Sequence, residues 1–418
     1  MRILFSFFFV VGVILNVHGS NENKNNESSK ESSAPDHASI THSLNTLYDS
    51  VNIWWQPVSN LPDSLKDIKI PVYPAYIYEK RIDNLNELTP IKLEYNEHVQ
   101  KYIDAYGVRN REKLKSIISK SAYYFPIFEE YLDKYNLPLE LKYLAAVESA
   151  LDPTAISKSG AVGLWQFMKP TADIFGMKIT SYIDERRDVY KSTDAACQYL
   201  KYLYQTFGDW QLALAAYNGG PGTLTKAIAL SGGKTNYWEL RPYLTDQMQN
   251  YVPAFIAMNY LMEYHSAHNI FPDSCFFEAV KADTIFVEGP LYLKNIAEIT
   301  NSDLELIKSL NPTFKHSFIP KDGKKYPLVL PNNVMYSFIE NKGKILESQS
   351  NSVDSVKIEY KNTANERTNY VFHTVVAGDT LFRLALNNEC SIKDILRWNG
   401  LDEKYSLKAG DRLKIFVD

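Results

Sequence analysis

The sequence predicts a mainly α protein, with one large all-α domain followed by small units of strand–helix–helix–strand order. Three observations predict it. From about residue 92 to 270, apolar residues recur at helical spacing, broken by turn signals such as Asn136-Leu137-Pro138, Gly208-Asp209 and Asn218-Gly219-Gly220-Pro221-Gly222. Beyond Pro272 the apolar runs shorten, as in TIFVEG and YPLVLP. The final stretch holds VFHTVV, DTLFRLALNN, SIKDILRWNG and DRLKIFV, which read as β, α, α, β. At 418 residues the chain exceeds one ordinary core, so two to four domains are expected.

In chain order, Met1-Arg2 precedes an apolar run from Ile3 to Leu15 and the small or polar residues up to Ser20. A positive start and a run shorter than the ~20 residues of a membrane span read as a signal peptide over 1–19, cut after Gly19. Whether it is cleaved or retained as an anchor stays open, and membrane association with it. No cysteine stands at that junction, the first being Cys197, so a lipid anchor there is not expected. Residues 20–44 are polar and aperiodic, a disordered tether. Residues 45–91 are aromatic and punctuated by Pro57, Pro71 and Pro74, and read as an extended arm packed on the next domain. Residues 92–272 should hold six to nine helices. Residues 276–335 form a second unit, 336–368 a polar linker, and 369–418 the terminal unit, with Asp379 and Ser391 placed as helix N-caps.

A formal charge of -4 gives no general affinity for nucleic acid. Cys197, Cys275 and Cys390 lie far apart without metal-ligand spacing, so buried free thiols are expected rather than a disulfide framework or a zinc site. Neither a metal nor a cofactor is expected, and the chain is expected to be a monomer.

One acidic side chain interrupts an apolar run in AAVESALDP, residues 145–153. Glu148 follows Leu144 by four residues and Ala145 by three, on a helix that starts near Pro138 and ends before Pro153. It therefore shares their stripe. Desolvation there disfavours the charged form and raises the pKa, as a general acid near neutral pH requires. The plainer reading, favoured by the helix alone, is a glutamate at the stripe's edge reaching water or a structural ion pair. Later segments shift the balance. Gly160-Ala161-Val162-Gly163 permits a tight turn, after which Leu164-Trp165-Gln166 should present a ring and an amide. Tyr217 and Asn218 end an apolar helix, and Tyr251 opens another. One acid among amides and phenols suits a neutral polar polymer such as a polysaccharide.

Taken in order, Glu148-Ser149, Gly163-Leu164-Trp165-Gln166, Ala216-Tyr217-Asn218-x-Gly220 and Tyr251-Val252 resemble the motifs of the soluble lytic transglycosylase family. Asp184-Glu185-Arg186-Arg187-Asp188 and the stretch from Asn136 to Leu144 are similar to its membrane-bound lytic murein transglycosylase D type, the resemblance spanning about residues 100–262. It implies a lysozyme-like all-α domain, sharing the fold of goose-type lysozyme. It implies that Glu148 protonates the glycosidic oxygen between N-acetylmuramic acid and N-acetylglucosamine, and that Ser149, Gln166, Tyr217, Asn218 and Tyr251 line the sugar sites. Tyr251 would sit near Glu148 and the developing positive charge. It implies no second carboxylate: the C6 hydroxyl of the muramic residue attacks C1 to close a 1,6-anhydro ring, and Glu148 returns as base, where most glycosidases use a carboxylate pair. Asp152, just before Pro153, reads as a helix stop. In the D type the mature N-terminus is typically a lipidated cysteine, where this chain has Gly19-Ser20.

The run His373 to Phe382, with Ile395 to Leu401 and Leu407 to Leu413, resembles a LysM domain, a family that binds N-acetylglucosamine-containing glycans between two loops. The resemblance implies glycan contacts at Gly378, Asp379, Thr380, Leu381, Asn399, Gly400 and Leu401. Residues 276–335 are similar to a degenerate copy in which Ala282 replaces the glycine of Gly-Asp-Thr, and their glycan binding is left open. Together these imply an exported periplasmic or cell-envelope lytic transglycosylase whose partner is the glycan strand of peptidoglycan. Two alternatives remain: a goose-type lysozyme-like hydrolase of the same bond, and a non-catalytic wall-binding protein.

Overall fold

A computed structural model of the chain describes residues 70–272, 281–350, 369–376, 379–388, 390–402 and 405–417. The expected signal peptide, the tether and Cys275 lie outside these residues, as does Gly378. The expectation of an extended arm is corrected over its second half, where Ala75–Asn86 forms a helix, α1. Tyr78, Ile82 and Leu85, spaced four and three apart, give it one buried face in the main core.

Nine further helices, α2 to α10, lie between residues 92 and 272, the upper end of the expected range. They are α2 (Glu97–Asp104), α3 (Arg111–Lys134), α4 (Tyr143–Ser149), α5 (Lys169–Ile174), α6 (Val189–Phe207), α7 (Trp210–Gly219), α8 (Pro221–Leu230), α9 (Tyr237–Leu240) and α10 (Asp246–Tyr264). Their starts are set locally. The side chains of Asn96, Asp188, Asp209, Asn236 and Thr245 accept hydrogen bonds from first-turn amides of α2, α6, α7, α9 and α10. Beyond its polar first turns helix α10 is largely apolar, and every residue from Tyr251 to Leu261 is buried. It forms the axis on which α2, α4 and α7 pack.

A second unit runs β1 (Ala282–Glu288), β2 (Leu291–Tyr292), α11 (Leu293–Thr300), α12 (Leu304–Leu310), β3 (Phe318–Ile319), β4 (Lys325–Pro331) and α13 (Asn332–Ser350). Strands β1 and β4 pair antiparallel with Ala282 opposite Pro331, and β2 pairs with β3. The expected linker over 336–368 is corrected up to residue 350, because Phe338 and Ile345 on α13 are buried in this unit's core. The two units share structure: Ile183 belongs to the second core, Asp184 N–H donates to Thr313 O at 3.0 Å, and Lys315 N–H to Tyr182 O at 2.7 Å.

The terminal unit runs β5 (Asn369–Thr374), α14 (Leu381–Asn387), α15 (Ile392–Trp398) and β6 (Arg412–Val417), with β5 and β6 antiparallel. Ser391 caps α15 in a reciprocal capping box with Asp394. The cap of α14 is corrected from Asp379 to Thr380, whose hydroxyl accepts from Arg383 N–H at 3.1 Å. Asp379 instead accepts from Val376 N–H at 2.9 Å and pairs with His373 Nε2 at 2.7 Å. Cys197 and Cys390 are buried thiols outside any disulfide, and burial pushes Cys197 up to about 12. Among the described residues no helix is long and apolar enough to cross a membrane.

Candidate active site

Helix α4 follows a 3-10 turn, Leu139–Lys142, so the chain enters it tightly wound and its apolar stripe faces inward. Leu141, Leu144 and Ala145 are fully buried, and Glu148 continues their stripe one turn on. Its carboxylate accepts a hydrogen bond from the Tyr251 hydroxyl on α10. The group lines a cavity of about 220 Å³. Burial raises its pKa to about 7, against the opposing pull of the Tyr251 hydroxyl. Burial also drives the Tyr251 and Tyr217 phenols well above their ordinary range, with the neighbouring Glu148 charge adding to it, so both act as neutral donors.

Of the expected sugar-contacting residues, Gln166, Tyr217 and Asn218 line the same cavity as Glu148. Tyr217 donates its hydroxyl to Trp165 O at 2.7 Å, which turns the ring edge-on to Phe167. Gln166 sits at φ +49, a left-handed conformation costly for a residue with a Cβ. Its amide nitrogen donates to Gly163 O at 2.8 Å and Ala155 O at 3.3 Å. The Oε1 of Gln166 and the Oδ1 of Asn218 are buried and accept no hydrogen bond from the protein. Such acceptors are costly unless a donor reaches them.

Two expectations are corrected. Ser149 does not line the cavity: it is fully buried, and its hydroxyl donates to Ala145 O at 3.0 Å and Leu164 O at 2.9 Å. It pins the end of α4 to the 160–168 loop. Trp165 presents no ring to the cavity either, being fully buried against Phe128, with its indole N–H donating to Thr193 Oγ1 at 2.9 Å.

The loop that carries Gln166 is gripped by a residue the sequence offered only as part of a charged run. Arg186 lies in a 3-10 turn, Glu185–Arg187, and is paired through Nε and Nη2 with both oxygens of the buried Asp184, at 3.0 and 2.8 Å. Its Nη1 donates to Gly160 O at 3.0 Å and Phe167 O at 3.1 Å, one carbonyl at each end of the loop. Its own carbonyl lies so close to Gly163 that a Cβ there would stand 1.9 Å away. With φ at +90, Gly163 is required twice over. A buried arginine fork satisfying two carbonyls is visible only once the loop's path is known, which is why spacing alone did not single it out.

The transglycosylase SLT domain model matches residues 126–239, a LysM-like domain model of the lytic transglycosylase MltD matches 281–346, and the LysM domain model matches 373–416. Membrane-bound lytic murein transglycosylase D of Escherichia coli (strain K12) is 30% identical over 338 residues, covering 80% of this chain and 71% of that protein. The chain belongs to the lytic murein transglycosylase D family. It is a lytic transglycosylase of peptidoglycan, with a lysozyme-like α domain. Two further similarities cover shorter stretches of this transglycosylase. A putative tributyltin chloride resistance protein of Alteromonas sp. (strain M-1) is 36% identical over 137 residues, 32% of this chain and 65% of that protein. The soluble lytic murein transglycosylase of Escherichia coli (strain K12) is 32% identical over 117 residues, 27% of this chain and 18% of that protein.

In the transglycosylase's terminal unit, Thr380 and Gly400 are exposed, Asp379 is part-exposed, and Leu381 and Leu401 pack against the small core. Asn399 is structural. Its amide donates to Ile395 O and Lys414 O, both at 2.8 Å, and its carbonyl accepts from Lys414 N–H at 2.7 Å, stapling α15 to β6. Asn311 repeats the staple in the second unit: it donates to Ile307 O at 2.8 Å and Val329 O at 2.6 Å, and accepts from Val329 N–H at 2.9 Å. The two units thus share an interior device although the second has lost the glycine of Gly-Asp-Thr.

Proposed function

We propose that Glu148 is the single acid and base of a reaction that yields a 1,6-anhydro-muramic product. One observation carries the proposal. Among the described residues, Glu148 is the only carboxylate lining its cavity, and it is held neutral up to about pH 7 by burial. The protonated carboxyl gives its proton to the glycosidic oxygen as the bond from that oxygen to C1 of the muramic sugar breaks. The C6 hydroxyl of the same sugar forms the new bond to C1 and returns its proton to Glu148, so atoms balance and no water is consumed. The Tyr251 hydroxyl steadies the carboxylate formed between the two transfers, when the negative charge is fully developed. Gln166 Oε1 and Asn218 Oδ1 accept from sugar hydroxyl or acetamido N–H groups, and Tyr217 shapes the wall.

Residues 1–19 direct export to the periplasm or cell envelope, the 92–272 domain cuts as a monomer, and the terminal unit holds the enzyme on its glycan through Asp379, Thr380, Leu381 and the 399–401 loop. Glu148→Gln is expected to lower the rate roughly 100- to 10,000-fold with little loss of binding, because the acid acts mainly in the transition state. Mass analysis of muropeptides released from purified sacculi checks the chemistry. An anhydro product supports the proposal; a product heavier by one water means a lysozyme-like hydrolase, and an undiminished Glu148→Gln variant means the acid has been misplaced.

A further inference from the structure

Helix α14 of the terminal unit is apolar on two faces. Leu381, Leu384 and Ala385 turn into the unit's own core, as the helix of a small βααβ module must. Phe382 and Leu386, four residues apart, turn the other way. Leu386 is 3% exposed and belongs to the core of the catalytic domain, not to that of its own unit. Phe382 meets Phe175, at the end of α5, and Tyr202 on α6 edge-on, with ring centroids 5.8 and 5.7 Å apart. Ile174, at the end of α5, packs against both cores. At the other side of the contact, Gly222 in the first turn of α8 has no positive φ to explain it. What it supplies is room: a Cβ there would stand 2.4 Å from the carbonyl oxygen of Asn387, the last residue of α14.

The contact matters because of where it falls. Helix α14 touches both α5 and α8, and the Glu148 cavity is lined by residues of α5, by the residue that opens α8 and by α14 itself. Pro170 and Thr171 of α5 line one side, Gly220 at the start of α8 another, and Leu386 stands among them as a wall residue. The exposed groups of the terminal unit, Thr380 and Gly400, are not used in this packing, so docking leaves its glycan-facing loops open.

We infer that the terminal unit is a fixed wall of the catalytic groove, and that Leu386 sets how far a glycan chain extends past Glu148 on that side. A chain running from the cavity between α5 and α8 meets α14 and must end or turn there. The enzyme therefore removes short fragments at a set distance from a chain end, where an open groove would cut anywhere along the strand. This inference rests on the assignment of Glu148 as the acid.

The test uses the full-length chain with Gly222→Val, whose side chain collides with the Asn387 carbonyl, and separately Phe382→Ala, a milder loss of packing outside the cavity. Purified sacculi are digested to equal extents, and the lengths of the first soluble glycans are compared by mass. Hydrogen exchange of the 221–230 amides reports docking. Faster exchange at 221–230 with a shift toward longer early products in either variant supports the inference. Unchanged product lengths despite faster exchange overturn it, and so does unchanged exchange in both variants. Glu148→Gln in the same backgrounds separates the two proposals. If it stays active, the acid assignment fails; if it is inactive while product lengths never move, only the wall is lost.

Discussion

At the scale of single residues, Glu148 and Tyr251 make opposite demands on one proton. Burial raises the carboxyl to about 7, and the Tyr251 hydroxyl pulls it down. Under the proposed mechanism Glu148 works only while protonated, so activity is expected to fall as pH rises through about 7. In Tyr251→Phe the downward pull is gone, so the alkaline limb should move to higher pH while the maximal rate drops; pH–rate profiles of both proteins check this. The same shift has a stability sign. A carboxyl whose folded pKa exceeds its unfolded value favours folding below the unfolded value and loses that advantage as pH rises through the folded one. Glu148→Gln, uncharged throughout, should therefore gain stability over wild type at pH 8 but not at pH 4, by at most roughly 3 kcal/mol, read from thermal unfolding at both pH values. The position of Glu148 was legible because three- and four-residue spacings from Ala145 and Leu144 fix its face. The roles of Ser149 and Trp165 were not, because Gly-Leu-Trp-Gln does not say to which side of a loop the ring turns.

At the scale of elements, the 160–168 loop shows how a wall of the candidate site is held without regular structure. Arg186 ties its two ends, Gly163 lets the Arg186 carbonyl approach, and Ser149 anchors it to α4. Gly163→Ala meets both a forbidden φ and a 1.9 Å contact and should destabilise the domain by roughly 2–5 kcal/mol, measurable by urea unfolding. The helices of residues 92–272 were legible because their apolar periods are long and capped. Helix α1 escaped notice because Pro71 and Pro74 set the tone of its segment, although Tyr78, Ile82 and Leu85 carry a helical period. The start of the supposed linker was missed for a related reason. In α13 the buried Phe338 and Ile345 are separated by polar residues, a sparse stripe that only the packing of the second unit makes decisive.

At the scale of the whole molecule, three cores are joined by shared side chains as well as by chain connections. Ile183 of the catalytic domain sits in the second core beside Phe314, and the backbone pairs Ile183 with Phe314 directly. Phe314→Ala should cost about 3–5 kcal/mol and should lower the unfolding midpoint reported by tryptophan fluorescence. The second unit has no tryptophan, so a shift in that signal registers coupling to the parts of the chain outside it. The double-faced α14 extends the same logic to the C-terminus. A small βααβ unit with its own core could in principle be exchanged between chains like a bead. Here a borrowed bead that kept the interior leucines but carried polar groups at 382 and 386 would fold and hang free, and a partner bearing any side chain at 222 would refuse even the native one. Compatibility between cutter and anchor is written into a glycine and two apolar side chains, so the pair is expected to be inherited as one piece.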